Sequence, residues 1–322
     1  MSTGTPQDST RPEATPQDST PLEATRPDGD PSDNGLLGLP GPVVGTEWLA
    51  GHLGDPRLVL VDASSTLNRA EEALPGAVLL DLDGDFSDPS SELPHTAPPA
   101  EQLTAAARAL GISRTSTVVA YDAKGIFASA RVWWLLRTAG FEQVAVLDGG
   151  LPAWAAEGRP TGAHGAPPAE PGDVVLVPRA DSFATAEDVA RALTDPGTTV
   201  LDARSAGRFA GTEPEPRPGL RPGHMPGAVS LPYTDLQDGS GRLLPLPQLR
   251  ERIAAAAPEG QRLVASCGSG LTACVLALGA HLAGREDVTV YDGSWSEWGR
   301  PGPRPVVGPA GVSPGPGSPR QS

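Results

Sequence analysis

The sequence is poor in cysteine, in positive charge and in long apolar runs, and each shortage removes a class of function. Only Cys267 and Cys274 occur in 322 residues, seven positions apart. That spacing makes neither a Cys-x-x-Cys pair nor a zinc set, and nothing suggests a disulfide framework, so a reducing, cytoplasmic setting is expected. Lys and Arg number 24 against 39 Asp and Glu, a formal net charge of −15. Nucleic acid and anionic membrane surfaces are therefore poor partners. No apolar run is long enough to cross a bilayer, and the first residues carry neither the basic stretch nor the apolar core of a secretion signal. A soluble protein without a membrane partner is the expectation.

What is present divides the chain. Residues 1–40 are rich in Pro, Thr, Asp and Glu and repeat Thr-Pro-Gln-Asp-Ser-Thr at 5–10 and 15–20. Such a segment buries too little to offset its ordering entropy and is expected to be disordered. The Gly-, Pro- and Ser-rich end, 301–322, is expected to be a flexible tail, and 161–180 a linker. In 41–160, short apolar runs at 58–62, 77–80, 117–121 and 144–147 read as strands, with helices at 101–110 and 126–139. In 181–300 the strands are 199–201, 263–265 and 288–291, and the helices 186–193, 246–257 and 273–282. Strands alternating with helices predict an α/β fold with parallel sheets.

The two halves also align. Val59-Leu60-Val61-Asp62-Ala63 answers Thr199-Val200-Leu201-Asp202-Ala203, and Pro75-Gly76-Ala77-Val78 answers Pro226-Gly227-Ala228-Val229. Leu147-Asp148-Gly149-Gly150 with Trp154 answers Tyr291-Asp292-Gly293-Ser294 with Trp298. A duplicated domain follows. The second copy is organised around 262–273, where an apolar strand, a glycine-rich turn and an apolar helix follow one another. Backbone N–H groups in such a turn favour an anion, so Cys267 is expected to lose its proton readily and act as a nucleophile. The first copy has Asp122 at that position. A carboxylate cannot act as a sulfur nucleophile, and only the second half is expected to be active.

These residues resemble the rhodanese family in its two-domain sulfurtransferase form. The resemblance is carried by Cys267-Gly268-Ser269-Gly270-Leu271-Thr272-Ala273, Asp202-Ala203-Arg204, the 208–217 segment, Gly223-His224-Met225-Pro226-Gly227-Ala228 and residues 291–298. The first half contributes Leu147-Asp148-Gly149-Gly150 and Arg131-Val132-Trp133-Trp134. About 41–300 is covered. The resemblance implies tandem rhodanese-like domains, each a parallel sheet flanked by helices, and sulfur transfer through a Cys267 persulfide. Within the family a cationic loop goes with thiosulfate and an uncharged Cys-Gly-Ser-Gly-Val-Thr loop with 3-mercaptopyruvate. Here the loop is uncharged, with Leu271 in place of Val.

The implied donor is therefore 3-mercaptopyruvate, releasing pyruvate, and the implied acceptor is cyanide, a small thiol or a thioredoxin-like protein. No cofactor or metal is implied. By position in the motif, Arg208 and Arg217 would grip the substrate carboxylate. Gly268, Gly270, Leu271 and Thr272 would surround it, with Thr272 also capping the next helix. A relay of Ser269 with His95 and Asp83 would supply the proton. Arg204 and Arg221 are expected to be structural, His224 has no assigned task, and Cys274 is expected well along its helix. Three rivals stand beside this reading. A cysteine phosphatase needs Cys-x5-Arg, but that position holds Ala273. The others are thiosulfate as main donor and a non-catalytic sulfur carrier.

Overall fold

The computed structural model describes Met1, residues 36–309 and residues 311–313. The hexapeptide repeat and the end of the tail lie outside the described residues. The first half runs β1 (Val43–Val44), α1 (Thr46–His52), β2 (Leu58–Asp62), β3 (Val78–Leu79) and α2 (Ala100–Ala109). It continues with β4 (Thr117–Tyr121), α3 (Ser129–Thr138), β5 (Val144–Leu147) and α4 (Gly150–Ala156). The second half begins with β6 (Phe183–Ala184), α5 (Ala186–Ala192), β7 (Thr198–Asp202), α6 (Ala206–Ala210) and β8 (Val229–Ser230). A 3-10 turn at Tyr233–Leu236 leads to α7 (Leu246–Ala256), β9 (Arg262–Ser266) and α8 (Ala273–Leu282). Then come β10 (Val288–Tyr291), α9 (Ser294–Trp298), β11 (Val306–Gly308) and β12 (Gly311–Ser313).

The strand orders are the same in both halves: β1-β5-β4-β2-β3 and β6-β10-β9-β7-β8. Every neighbouring pair within these two sheets is parallel. Parallel strands are covered on both faces, which explains why the central β4 is buried at all five positions. The same logic fits α8, buried from Ala273 through Ala280. An all-round apolar helix needs cover on every side, and α8 finds it against β9, β10 and α3 of the first half. One apolar core thus joins the halves. No helix among the described residues is long and apolar enough to cross a membrane.

Most long strands and helices lie within a residue or two of their expected places. The main exception is 126–139, whose helix starts only at Ser129 because the preceding residues wrap around Asp122. The sequence reading missed the two-residue edge strands β1 and β6 and the short α1, α4, α6 and α9, which are too brief to display a period.

Parts of two stretches expected to be loose, the linker and the described beginning of the tail, are packed instead. In the linker, Val174 and Leu176 are buried, and Gly162 exchanges backbone hydrogen bonds with Ala73 at 2.7 and 2.9 Å. In the tail, Val306 is buried and Val307 exchanges the equivalent pair with His224, both 2.9 Å. Trp154 Nε1 donates to Pro160 O at 2.8 Å, and Trp298 Nε1 to Pro305 O at 2.9 Å. Each domain therefore ends in the same strap, held by an indole and by the residue two before its Pro-Gly turn, Ala73 or His224. Composition misled here because a strap supported by another element needs no periodicity of its own. At the other end, Leu37 is buried and its carbonyl accepts from Thr117 Oγ1 at 3.2 Å, so packing begins before residue 41.

Candidate active site

Strand β9 ends at Ser266, and Cys267 opens the loop into α8 at the carboxyl edge of the sheet, the usual place for a site in parallel α/β folds. Ser294 holds this loop from outside. Its Oγ accepts the N–H groups of Cys267 (3.0 Å) and Gly270 (3.1 Å) and donates to Tyr291 O at 2.8 Å. Ser296 N and Oγ both donate to Gly268 O, at 2.9 and 2.7 Å. The N–H groups of Gly268, Ser269, Leu271 and Thr272 have no protein acceptor among the described residues. They leave the loop a set of donors suited to an anion.

Thr272 does not cap the helix. Its backbone is already helical (φ −73°, ψ −13°), and its side chain makes no capping bond. A capping side chain reaches forward from an extended backbone, which Thr272 lacks. Gly270 also departs from expectation. It does not line the cleft beside Cys267; at φ +82° it lies under the loop, where a Cβ would meet Asp292 O at 2.9 Å.

The second half's Ser269 meets the first half's His95 and Asp83. His95 Nδ1 lies 2.9 Å from Ser269 Oγ, and Nε2 lies 3.0 Å from Asp83 Oδ1. Burial works to raise the Asp83 carboxyl, but the Thr66 backbone N–H and His95 outweigh it and hold the group below the ordinary carboxylate value. Burial pushes His95 down; Asp83 opposes this, while Arg217 and Arg131 add to it, and the net shift is downward. A neutral imidazole beside a carboxylate carries its hydrogen on Nε2, since the carboxylate can only accept. Nδ1 is then the acceptor for the Ser269 hydroxyl.

The two expected carboxylate-binding arginines are not equivalent. Arg208 Nη2 donates to Glu215 at 2.6 Å, and the buried Glu215 also pairs with Arg204 at 2.8 Å. Arg204 is structural: it is fully buried, paired with Asp202 and set over the Trp295 ring at 4.0 Å. Arg217 makes no hydrogen bond or ion pair among the described residues, and its burial pushes its pKa down, with Cys267 acting in the opposite direction. Arg221 is also structural, donating to three backbone carbonyls. His224 stacks on Phe209 at 3.8 Å and bonds its carbonyl.

Cys267, Ser269, His95, Asp83, Arg208 and Arg217 converge on one cleft of about 460 Å³. The sequence reading missed Leu67, Asn68, Phe127 and Tyr233 in its walls. They are ordinary loop and turn residues that carry no chemical signal. Cys274 is nearer than expected. It is the second residue of α8, fully buried, with Sγ 3.3 Å from Gly270 O. Burial pushes its thiol up to about 12 against the pull of Arg131, which makes it a poor nucleophile.

A family model described as a rhodanese-like domain matches residues 45–157 and again 185–300. The chain is 39% identical to the 3-mercaptopyruvate sulfurtransferase of Rattus norvegicus over 80% of its own length and 91% of the relative's. It is 40% identical to thiosulfate/3-mercaptopyruvate sulfurtransferase 1, mitochondrial, of Arabidopsis thaliana, over 80% and 76% respectively. Among solved structures, SseA from Escherichia coli, a 3-mercaptopyruvate sulfotransferase, superposes with a TM-score of 0.69 at 32% identity, covering 80% of this chain and all of SseA. With two matched domains, the same sheet order in each and one intact cysteine loop, the chain belongs to the rhodanese family, as a tandem-domain sulfurtransferase.

Proposed function

We propose that this sulfurtransferase takes sulfur from 3-mercaptopyruvate through a persulfide on Cys267. The observation that carries the reading is the convergence of a cysteine in an uncharged loop, an unpaired Arg217 and the Ser269–His95–Asp83 chain on one cleft. Arg217 holds the substrate carboxylate with its planar fork, and Arg208, already tied to Glu215, closes one side. The Cys267 thiolate attacks the thiol sulfur, and the S–S bond forms as the C–S bond breaks, its electron pair passing to the pyruvate enolate. Ser269 takes the substrate's thiol proton while passing its own to His95 Nδ1. The imidazolium that forms is stabilised by Asp83. The proton returns through Ser269 to the methylene carbon and completes pyruvate, leaving Cys267–S–S⁻. An acceptor thiol or cyanide then attacks the outer sulfur and restores the thiolate. Cys267 and Cys274 are both free thiols, and we place the enzyme in a reducing compartment, the cytoplasm.

Thiosulfate, by contrast, is a dianion, and the 267–272 loop offers it no charged side chain. The test measures turnover with both donors side by side. Mercaptopyruvate is expected to be the better substrate. Arg217→Ala should cost about 2–4 kcal/mol in its kcat/KM, and Lys should restore only part. Arg208→Ala should cost less in catalysis, because its guanidinium is already paired. Faster turnover of thiosulfate, or a wild-type kcat/KM for Arg217→Ala, would sink the donor assignment.

A further inference from the structure

An ion pair whose arginine is fully buried crosses between the domains behind the cleft. Arg131 of α3 is fully buried, and its Nη2 donates both to Asp292 Oδ1 and to the His95 carbonyl, each at 2.7 Å. The other oxygen of Asp292, Oδ2, accepts the Ala97 N–H at 2.7 Å. The backbone on either side of Thr96 is thus held by one pair of side chains. His95, whose carbonyl is the first of these grips, has φ +60°, in the left-handed region that costs a side-chain-bearing residue energy.

The inactive side of the molecule carries the same contact without the strain. There Asp148, the counterpart of Asp292, accepts the Leu243 N–H at 2.8 Å. The residue two before Leu243, as His95 is two before Ala97, is Gly241 at φ +80°. A glycine adopts that conformation freely. Among the described residues no buried arginine backs it: Arg242, about 29% exposed, stands 4.0 Å from Asp148. The guanidinium and the strained histidine therefore occur together, and only on the side that has the cysteine.

We infer that the Arg131–Asp292 pair is a positioning device that holds the His95 backbone in its left-handed conformation, so that the ring stays between Asp83 and Ser269. This rests on the relay reading above. Arg131 and Asp292 touch no substrate; they act through His95. Neither lines the cleft, and neither bonds Arg217.

The test is a double-mutant cycle on the full chain, read as kcat and KM for 3-mercaptopyruvate below the melting temperature of every variant. Asp292→Asn keeps the shape and an acceptor for Arg131 but loses the acceptor for Ala97. It should lower kcat by about 10-fold or more, with KM within about 2-fold. Because asparagine tolerates left-handed backbone, His95→Asn removes the ring and leaves the loop in place. Adding Asp292→Asn to His95→Asn should lower kcat no further. Arg131→Met, which keeps most of the side chain's length but has no donor for either partner, should repeat this behaviour and serves if Asp292→Asn fails to fold. A wild-type kcat for both single variants overturns the inference. So does a loss that multiplies with that of His95→Asn, since the pair would then act elsewhere in the fold. If His95→Asn alone keeps a wild-type kcat, the relay reading is what fails.

Discussion

The two halves share one sheet order but do opposite things with the loop after the central strand. In the first half Asp122 stands at the loop's start and fills it. Its Oδ2 accepts from Phe127 N, Ala128 N, Ser129 N (2.9 Å each) and Ser129 Oγ (2.8 Å). In the second half Cys267 leaves comparable amides unused, available to the anion of a substrate. The outer support differs in the same direction. Ser294, at φ +46°, holds the Cys267 loop; its counterpart is Gly150, at φ +53°, where a Cβ would come within 2.4 Å of Asp122 O. Ser294 and His95 are the two non-glycine residues with positive φ among the described residues, and glycines hold both places on the inactive side. A self-satisfied loop is stable and inert, whereas an unsatisfied one with strained supports can bind and react.

The largest test of this contrast converts one loop into the other. Cys267→Asp should abolish sulfur transfer with either donor while the protein still folds, because the new carboxylate meets donors like those around Asp122. Asp122→Cys should gain no activity, since the first half lacks counterparts of Arg217 and His95 at its loop. Measurable transfer by the Asp122→Cys, Cys267→Asp double variant would break the comparison.

A smaller effect is expected from removing the inert half's own anion. Asp122→Ala leaves several buried N–H groups unpaired and should cost about 2–4 kcal/mol of stability, read from the denaturation midpoint. The kcat of the folded fraction should hold near wild type. An unchanged midpoint would mean that water satisfies those amides as well as the carboxylate does.

The smallest effect is on pH. The working form of His95 is neutral, and burial, Arg217 and Arg131 hold it below the ordinary imidazole value of 6.5. A lowered value keeps the neutral form present at more acid pH. The acid limb of kcat should therefore fall below pH 6.5. Asp83 raises the His95 value, so Asp83→Asn should lower kcat and move that limb further to the acid side. A limb that moves towards neutral pH would contradict the sign.

Much of this was legible in the chain itself. Strand and helix periodicity, the internal repeat and Asp122 opposite Cys267 follow from residue types and spacing, because duplicated sequence folds into duplicated structure. The cysteine loop was legible too, since few arrangements other than a strand, a glycine-rich turn and a helix suit that pattern. Other features depend on contacts between residues far apart in sequence, which no local pattern encodes. Ser269 and His95 are 174 positions apart and meet because α3 packs on α8. Whether Arg208 or Arg217 is left free depends on where Glu215 folds back. The straps at 160–165 and 305–308 look like parts of a linker and a tail until Trp154 and Trp298 bond their carbonyls. Residue types set the chemistry available to the chain; the domain interface decided which groups face one another and which are already satisfied.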